Sequence, residues 1–97
     1  MKYKVVFLPE ASKDSDEIHR YLSQYYKNTS KNFFTLLKKQ IDSLKSNPFI
    51  APVCPERSSY RRSVVAGYLV FYKVDVEKEL IEIHRILHGS RDIGRYI

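Results

Sequence analysis

Three polar side chains follow the last apolar segment of the sequence, and they are the residues best placed to do chemistry. His88 ends that segment, and Arg91 and Asp92 come just after a glycine–serine pair. An imidazole with an ordinary pKa of about 6.5 can accept or donate a proton near neutrality. It can equally be structural, hydrogen-bonded to a loop carbonyl. Both hypotheses stand for His88, whereas for Arg91 and Asp92 we expect a local ion pair.

Five arginines lie in or beside the segment that should form a sheet. A guanidinium presents a planar fork of donors that suits phosphate oxygens, and several could stabilise a phosphodiester in a transition state. The alternative is that they pair with carboxylates of this protein or of a partner. Two of them are adjacent on one predicted strand and point to opposite faces, so at most one can line a given groove. The five are Arg61, Arg62, Arg85, Arg91 and Arg95.

Metal, thiolate and phosphate-loop chemistry have no support in the sequence. His84 and His88 would share one strand face about 13 Å apart, too far to ligate one metal together. Cys54 has no adjacent histidine, so a catalytic thiolate is not indicated. No glycine-rich phosphate loop and no serine nucleophile elbow is present. We therefore expect no metal site and no cofactor.

Hydrophobic patterning predicts the strands that position these residues. The segment Tyr68–Val74 is almost wholly β-branched or aromatic, and Leu80–His88 alternates apolar with polar residues. The charged turn Asp75–Glu79 joins them into an antiparallel hairpin, whose apolar character suits the centre of a sheet. Further strands are predicted at Lys2–Leu8 and Tyr60–Val65.

Two helices are predicted between the first and second strands. Pro9 suits the first turn of a helix, and Asn28–Ser30 separates this helix from a second one that ends near Asn47 and Pro48. Each helix has one apolar face at helical spacing. The first face is Ala11, Ser15, Ile18, Leu22 and Tyr25, and the second is Phe33, Phe34, Leu37, Ile41 and Leu44. Four charged residues of the first helix, Asp14, Asp16, Glu17 and Arg20, are expected mostly to face water.

The element order is therefore β-α-α-β-β-β. It predicts an α+β fold in which an N-terminal helical hairpin packs on one face of an antiparallel sheet. A length of 97 residues suits a single domain, spanning 1–97.

Charge and composition narrow the partners. The formal net charge is +6, which favours nucleic acid or an acidic protein as the partner, although a basic protein without either is also possible. No apolar run approaches the roughly 18 residues that a membrane span needs, so we expect no membrane partner. A single cysteine fits a reducing compartment, and we expect a cytoplasmic protein.

Taken in order, these segments resemble the RelE/ParE superfamily of toxins from bacterial type II toxin–antitoxin modules, over essentially the full length. The matching pieces are Pro-Glu-Ala at 9–11, Asn-Pro at 47–48, Tyr-Arg-Arg at 60–62 and the strand Tyr68–Val74. The most specific piece is Ile-Leu-His-Gly-Ser-Arg-Asp at 86–92.

The resemblance implies one of two activities. RelE-type members are ribosome-dependent, metal-free ribonucleases that cut mRNA, whereas ParE-type members poison DNA gyrase. In RelE-like nucleases an arginine usually stands where this chain has Leu69, and leucine cannot bind a scissile phosphate. We therefore expect a ParE-like gyrase poison, with the mRNA endoribonuclease as the alternative. A chain that has lost toxicity and only binds its antitoxin is the third possibility.

The resemblance also implies roles for particular residues. An antitoxin with an acidic, amphipathic segment that folds on binding would neutralise the toxin in each case. Residues expected to contact it are Ile18, Leu22, Phe33, Leu37 and Arg61. Contacts with the gyrase target, or alternatively with the ribosome and mRNA, are expected at Arg62, His88, Arg91, Asp92, Arg95 and Tyr96. Catalytic roles, for the nuclease alternative only, fall to His88, Arg85, Arg61 and Tyr96.

Overall fold

Two helices and four strands follow one another in the predicted order, in a computed structural model that describes residues 2–25 and 28–97. The helices are α1 (Pro9–Ser23) and α2 (Thr29–Ser46). The strands are β1 (Lys4–Phe7), β2 (Arg61–Val65), β3 (Tyr68–Asp75) and β4 (Leu80–His88), and a short 3-10 turn follows at Ile93–Arg95. The predicted α+β fold class is confirmed. No helix among these residues is long and apolar enough to cross a membrane.

The four strands form one sheet in the order β1-β4-β3-β2. The β3–β4 hairpin is central, as its apolar character predicts, and β2 pairs antiparallel with β3. β1 instead runs parallel to β4, with Lys4 opposite Leu80 and Phe7 opposite Ile83. The sheet is therefore mixed rather than wholly antiparallel. Two helices and the segment 47–60 return the chain to its starting end before β2, so β1, β2 and β4 share one direction.

Both helices pack on one face of the sheet, called here the helix face. The apolar face predicted for α2 is confirmed, because Phe33, Leu37, Ile41 and Leu44 are all buried against the sheet. From the sheet, the helix face receives the buried side chains of Tyr68, Val70, Tyr72, Ile81, Ile83 and Ile86. The buried face of α1 is shorter than expected, since Tyr25, the last residue predicted for it, is 57% exposed.

A β-bulge in β4 changes which side chains reach each face. Phe71 lies opposite Arg85 and Tyr72 opposite Ile83, so His84 is the extra residue on β4. One extra residue reverses the alternation of side chains along a strand. His84 consequently packs against Tyr60 on the far face, whereas His88 packs against Tyr68 on the helix face. The expectation that both histidines share a face is wrong.

The opposite face of the sheet, called here the tail face, has an apolar cluster of its own. Phe71 and Leu87 of the central hairpin are buried there with Cys54 and Tyr60, and Ile93 of the C-terminal tail covers them. Apolar cover on both faces explains why β3 is apolar almost without interruption.

Asp14 of α1 is buried, with an exposed fraction of only 6%, and the expectation that it faces water is wrong. Its Oδ2 accepts hydrogen bonds from Arg85 Nε at 2.8 Å and from the Ile86 backbone N–H at 2.9 Å, and its Oδ1 accepts one from Arg85 Nη2 at 2.9 Å. Because β1 pairs with β4 only as far as Ile83, the next part of that edge has no neighbouring strand. There the Asp14 carboxylate accepts the Ile86 N–H, as a carbonyl of a neighbouring strand otherwise would. Hydrogen bonding to Asp14 also raises the pKa of Arg85 above its ordinary value.

His84 is a half-buried titratable group on the tail face. Its Nδ1 lies 3.4 Å from the hydroxyl oxygen of Tyr60, and the two ring centroids are 5.0 Å apart. Burial lowers the pKa of His84 below its ordinary value of 6.5, and the nearby charge of Lys73 lowers it further. The side chain is therefore neutral at pH 7.

The Asp14 contacts predict a large stability cost for a small change. Replacing Asp14 with asparagine removes the charge and leaves donors of Arg85 and Ile86 without a full set of acceptors. We expect a loss of about 3 kcal/mol in the free energy of unfolding, measured by urea denaturation. Asp16→Asn makes the same chemical change on an exposed position of the same helix and should have little effect. Equal urea midpoints for the two variants would contradict the structural role of Asp14.

The lowered pKa of His84 predicts a pH dependence with a definite sign. As pH falls below about 6.5, the unfolded chain takes up a proton at this residue before the folded protein does. The contribution of His84 is thus fully present above pH 6.5 and is lost as pH falls towards its lowered folded-state pKa. The urea midpoint of His84→Gln should therefore decline less between pH 7.5 and pH 5 than the midpoint of the unchanged protein. Parallel declines would contradict the assignment.

Candidate functional site

A groove separates α1 from the ends of β3 and β4, with a cavity volume of about 640 Å³. We call it the α1–β4 groove. One wall is formed by Asp14, Glu17, Ile18, Tyr21 and Leu22 of α1, and the other by Ala66, Tyr68, Ile86, Leu87, His88, Ser90 and Arg91. Its apolar floor lies between an acidic wall and a basic one. The groove is therefore suited to an amphipathic segment with charges of both signs.

His88 stands at the mouth of this groove, and its side chain is exposed. Its Nδ1 lies 2.6 Å from the Ser90 hydroxyl oxygen and accepts a hydrogen bond from the Ser90 backbone N–H at 3.2 Å. A backbone N–H can only donate, so Nδ1 carries no proton in this arrangement. The neutral ring then holds its proton on Nε2. The nitrogen left for a partner is a hydrogen-bond donor, which favours binding over proton abstraction.

A second cavity, of about 390 Å³, lies where the tail face meets the start of α1. We call it the Tyr60–Tyr96 cavity. It is lined by Leu8, Pro9, Glu10, Tyr60, His84, Arg85 and Tyr96. The guanidinium carbons of Arg85 and Arg91 each lie 5.4 Å from the centre of the Tyr96 ring. Cations over aromatic faces in this range are held by the ring quadrupole.

Arg91 links the two cavities, since it lines the groove and contacts Tyr96. Its Nη1 donates to the Tyr96 hydroxyl oxygen at 3.2 Å. The expected ion pair between Arg91 and Asp92 does not form. Asp92 instead precedes the 3-10 turn, where its backbone carbonyl accepts from Arg95 N–H at 3.1 Å. Both arginines and Asp92 are exposed, as a surface that contacts a partner requires.

Two further cations lie close to Tyr60, and neither is among the site residues expected from the sequence. The Arg57 guanidinium carbon lies 5.3 Å from the Tyr60 ring centre, and Lys73 Nζ lies 4.8 Å from it. Lys73 carried a usable signal, since it follows Leu69 and Phe71 at period two and so shares their face. Arg57 lies in the irregular segment between α2 and β2, where no period in the sequence assigns a side chain to a face.

Arg61 and Arg62 face opposite sides of the sheet, as adjacent strand residues should. Arg61 Nη1 donates to the carbonyl oxygens of Ala51 at 2.7 Å and Phe49 at 3.3 Å, while Arg62 pairs with Glu56 at 3.4 Å. Neither arginine lines the groove or the Tyr60–Tyr96 cavity.

The four residues considered for catalysis are therefore not assembled into one constellation. His88 lies in the α1–β4 groove, Tyr96 lies in the Tyr60–Tyr96 cavity, Arg85 is bound to Asp14, and Arg61 is bound to loop carbonyls. Across residues 2–25 and 28–97, no group of three or more histidine, cysteine, aspartate or glutamate side chains could hold a metal ion.

The residues expected to contact an antitoxin are mostly enclosed. Phe33 and Leu37 are each 4% exposed and belong to the core beneath α2, so they cannot present a free surface. Ile18 is 6% exposed but lines the α1–β4 groove beside the half-buried Leu22. The apolar residues of this set that line an open surface, Ile18 and Leu22, therefore lie along the groove.

Known structures share this arrangement at low sequence identity. The chromosomal ParDE toxin–antitoxin system from P. aeruginosa matches with a TM-score of 0.71 and 15% identity, over 90% of this chain and 96% of that one. The RelBE2 toxin–antitoxin complex from Mycobacterium tuberculosis matches with a TM-score of 0.67 and 18% identity, over 91% and 99%. The intact E. coli RelBE toxin–antitoxin complex gives 0.66 and 18%, over 92% and 99%. These likenesses show the fold.

The family follows from the sequence match. No curated protein matches the sequence closely. The family model described as the ParE toxin of the type II toxin–antitoxin system, parDE, matches residues 5–93, which is nearly the whole chain. The chain therefore belongs to the ParE family, within the RelE/ParE superfamily of type II toxins.

Proposed function

We propose that this toxin inhibits growth by poisoning DNA gyrase in the cytoplasm, acting as a binding protein rather than as a nuclease. It would engage the gyrase–DNA intermediate and hold it in the cleaved state. The contact surface would be the C-terminal tail with the end of β4, through His88, Arg91, Asp92, Arg95 and Tyr96.

The main support for the proposal is that two arginines considered for a nuclease, Arg85 and Arg61, already form contacts within the protein. Arg85 makes a two-point contact with Asp14, and Arg61 is held by the carbonyl of Ala51 at 2.7 Å. Freeing Arg85 would leave a buried carboxylate unpaired, which costs several kcal/mol. Leu69, where nucleases of the superfamily usually carry arginine, offers no replacement. Neither Arg85 nor Arg61 is therefore free to bind the scissile phosphate of an mRNA.

A cognate antitoxin is the second proposed partner, supported by the toxin–antitoxin complexes among the similar structures. The α1–β4 groove offers it apolar contacts at Ile18 and Leu22 and hydrogen-bond donors at His88 and Arg91. An amphipathic segment with acidic residues on one side fits this combination. Binding there would cover His88 and Arg91, so the antitoxin would block part of the surface proposed to contact gyrase.

Gyrase assays with the purified toxin give the first functional prediction. The unchanged protein should inhibit supercoiling and cause cleaved DNA to accumulate. Arg95→Glu reverses a charge on the proposed contact surface and should weaken the accumulation at least about ten-fold, equivalent to about 1.4 kcal/mol of binding. Lys38→Glu makes a comparable charge reversal on the exposed side of α2 and should leave it unchanged.

The same protein added to translating ribosomes supplies the opposing test. The proposal predicts no codon-aligned cuts in the mRNA. Cuts that disappear in His88→Ala, together with no effect on active gyrase, would overturn the proposal and establish the nuclease alternative.

A further inference from the structure

Tyr68 lies at the junction of the helix-face core and the α1–β4 groove. Its side chain is only 8% exposed, and its ring packs against those of Phe33 and His88, with centroid separations of 4.9 and 5.1 Å. It nevertheless lines the groove, and its hydroxyl is near enough to Tyr21 and Arg91 for both to influence its pKa. The enclosed ring therefore directs a polar group into an otherwise apolar floor.

The hydroxyl of Tyr68 has no hydrogen-bond partner among residues 2–25 and 28–97, whereas the hydroxyls of Tyr60, Tyr72 and Tyr96 each have one. Tyr72 is the best comparison, because both residues belong to β3 and both are buried. The Tyr72 hydroxyl donates to the Pro48 carbonyl oxygen at 2.8 Å. An enclosed hydroxyl without such a partner is unusual, and this one lines a cavity that can admit a ligand.

Two further hydrogen-bond donors share this wall of the groove. Burial raises the pKa of Tyr68 above its ordinary value of 10.0, Tyr21 raises it further, and the charge of Arg91 lowers it. The hydroxyl is thus protonated at pH 7, and it joins Arg91 and the Nε2–H of His88 as a donor. Arg91 Nη1 donates to Tyr96, which leaves its other N–H groups for a partner. Within residues 2–25 and 28–97, Arg91 makes no ion pair.

We propose that Tyr68 and Arg91 together bind one carboxylate side chain of the segment that occupies the α1–β4 groove, and that this contact determines which segments the groove accepts. A carboxylate has two oxygens, so it can accept from the Tyr68 hydroxyl and from the Arg91 guanidinium at once. The inference deepens the proposed function, and it rests on the proposed antitoxin for the identity of the chain that carries the carboxylate.

The surroundings of Tyr68 favour a carboxylate on a peptide over the phosphates of a nucleic acid. Ile18, Leu22 and Ile86 form the apolar floor beside it. An amphipathic segment buries apolar side chains on this floor while its Asp or Glu reaches the donors. Glu17 on the opposite wall repels a chain of phosphates, whereas a peptide can place a basic or neutral residue there.

Selectivity arises mainly by exclusion of the wrong side chain. An apolar side chain placed against Tyr68 takes the hydroxyl out of solvent without replacing its hydrogen bond, which is the unfavourable case for a buried donor. A segment with leucine in place of the acid is therefore rejected, although it adds apolar contact to the floor of the groove.

The affinity for the cognate antitoxin, measured by surface plasmon resonance, tests the proposal with a change of one atom. Tyr68→Phe removes the hydroxyl and keeps the ring. It should weaken antitoxin binding roughly ten- to a hundred-fold, because a hydrogen bond to a charged acceptor is lost. Its urea midpoint should not fall, since the hydroxyl has no partner within the described protein. Equal affinities of Tyr68→Phe and the unchanged toxin overturn the proposal.

Tyr72→Phe is the matched control, because it removes the same atom from the same strand. Its hydroxyl is bonded to Pro48 and does not line the groove, so the urea midpoint should fall while the antitoxin affinity stays the same. If Tyr72→Phe weakens antitoxin binding as much as Tyr68→Phe does, the loss follows from stability rather than from contact, and the proposal is overturned.

Replacing the acids of the antitoxin identifies the acceptor. Each Asp or Glu of the antitoxin is changed in turn to Asn or Gln, and each variant is measured against the unchanged toxin and Tyr68→Phe in a double-mutant cycle. One acid should couple to Tyr68, so that Tyr68→Phe causes little further loss once this acid is replaced. The same acid should couple to Arg91→Gln. A full loss from Tyr68→Phe with every acid variant overturns the carboxylate assignment.

Two results separate the failure of this inference from the failure of the proposed function. If the toxin poisons gyrase and the antitoxin neutralises Tyr68→Phe as well as the unchanged toxin, the proposed function remains and this inference falls. Leu22→Ala removes apolar contact from the same groove without touching Tyr68. If it leaves the antitoxin affinity unchanged, the groove is not the antitoxin site, and that part of the proposed function falls as well.

Discussion

The structure depends on one carboxylate that joins the first helix to the last strand. Asp14 binds Arg85 through both oxygens and also accepts the Ile86 backbone N–H, across 71 and 72 positions of sequence. Burying an ion pair generally costs desolvation that its attraction barely offsets. Here three donors satisfy the carboxylate, and one of them belongs to a strand edge that would otherwise be bare. The contact therefore fixes where α1 lies, and with it one wall of the groove.

A β-bulge next to this contact decides which face of the sheet each histidine of β4 reaches. Arg85 follows the bulged residue His84, where the strand changes its alternation and leaves its pairing with β1. Had β4 been regular, His84 and His88 would have faced the same side. The bulge instead places the two histidines on opposite faces of the sheet, with His88 in the groove beside α1 and His84 in the cavity beneath the tail. Bulges commonly re-aim side chains near functional surfaces in this way.

Local pattern was enough to predict the strands and helices, but not the contacts that define the site. The strands of the hairpin Tyr68–His88 can be predicted from their own pattern of apolar and polar residues. The parallel pairing of β1 with β4 depends instead on the whole path of the chain. Asp14 did carry a signal, because it lies three residues after Ala11 and four before Ile18, on the buried side of the helix. Its charge led to the opposite interpretation. The bulge at His84 has no residue signature, so the division of the histidines between two faces could not be predicted.

Net charge alone does not distinguish a binding surface from a solvated one, but the environment of each charge does. Lys38 and Lys39 on α2 are exposed, so their ammonium groups keep their water and cost the fold nothing. Lys73 is half-buried on a central strand and lies over an aromatic ring although an acid stands opposite it. Burial is the main reason that the pKa of His84 is lowered; the charges of Lys73 and Arg57 lower it further, and Glu82 raises it. The surroundings of Lys73 are therefore more informative about this face of the sheet than the total charge of +6.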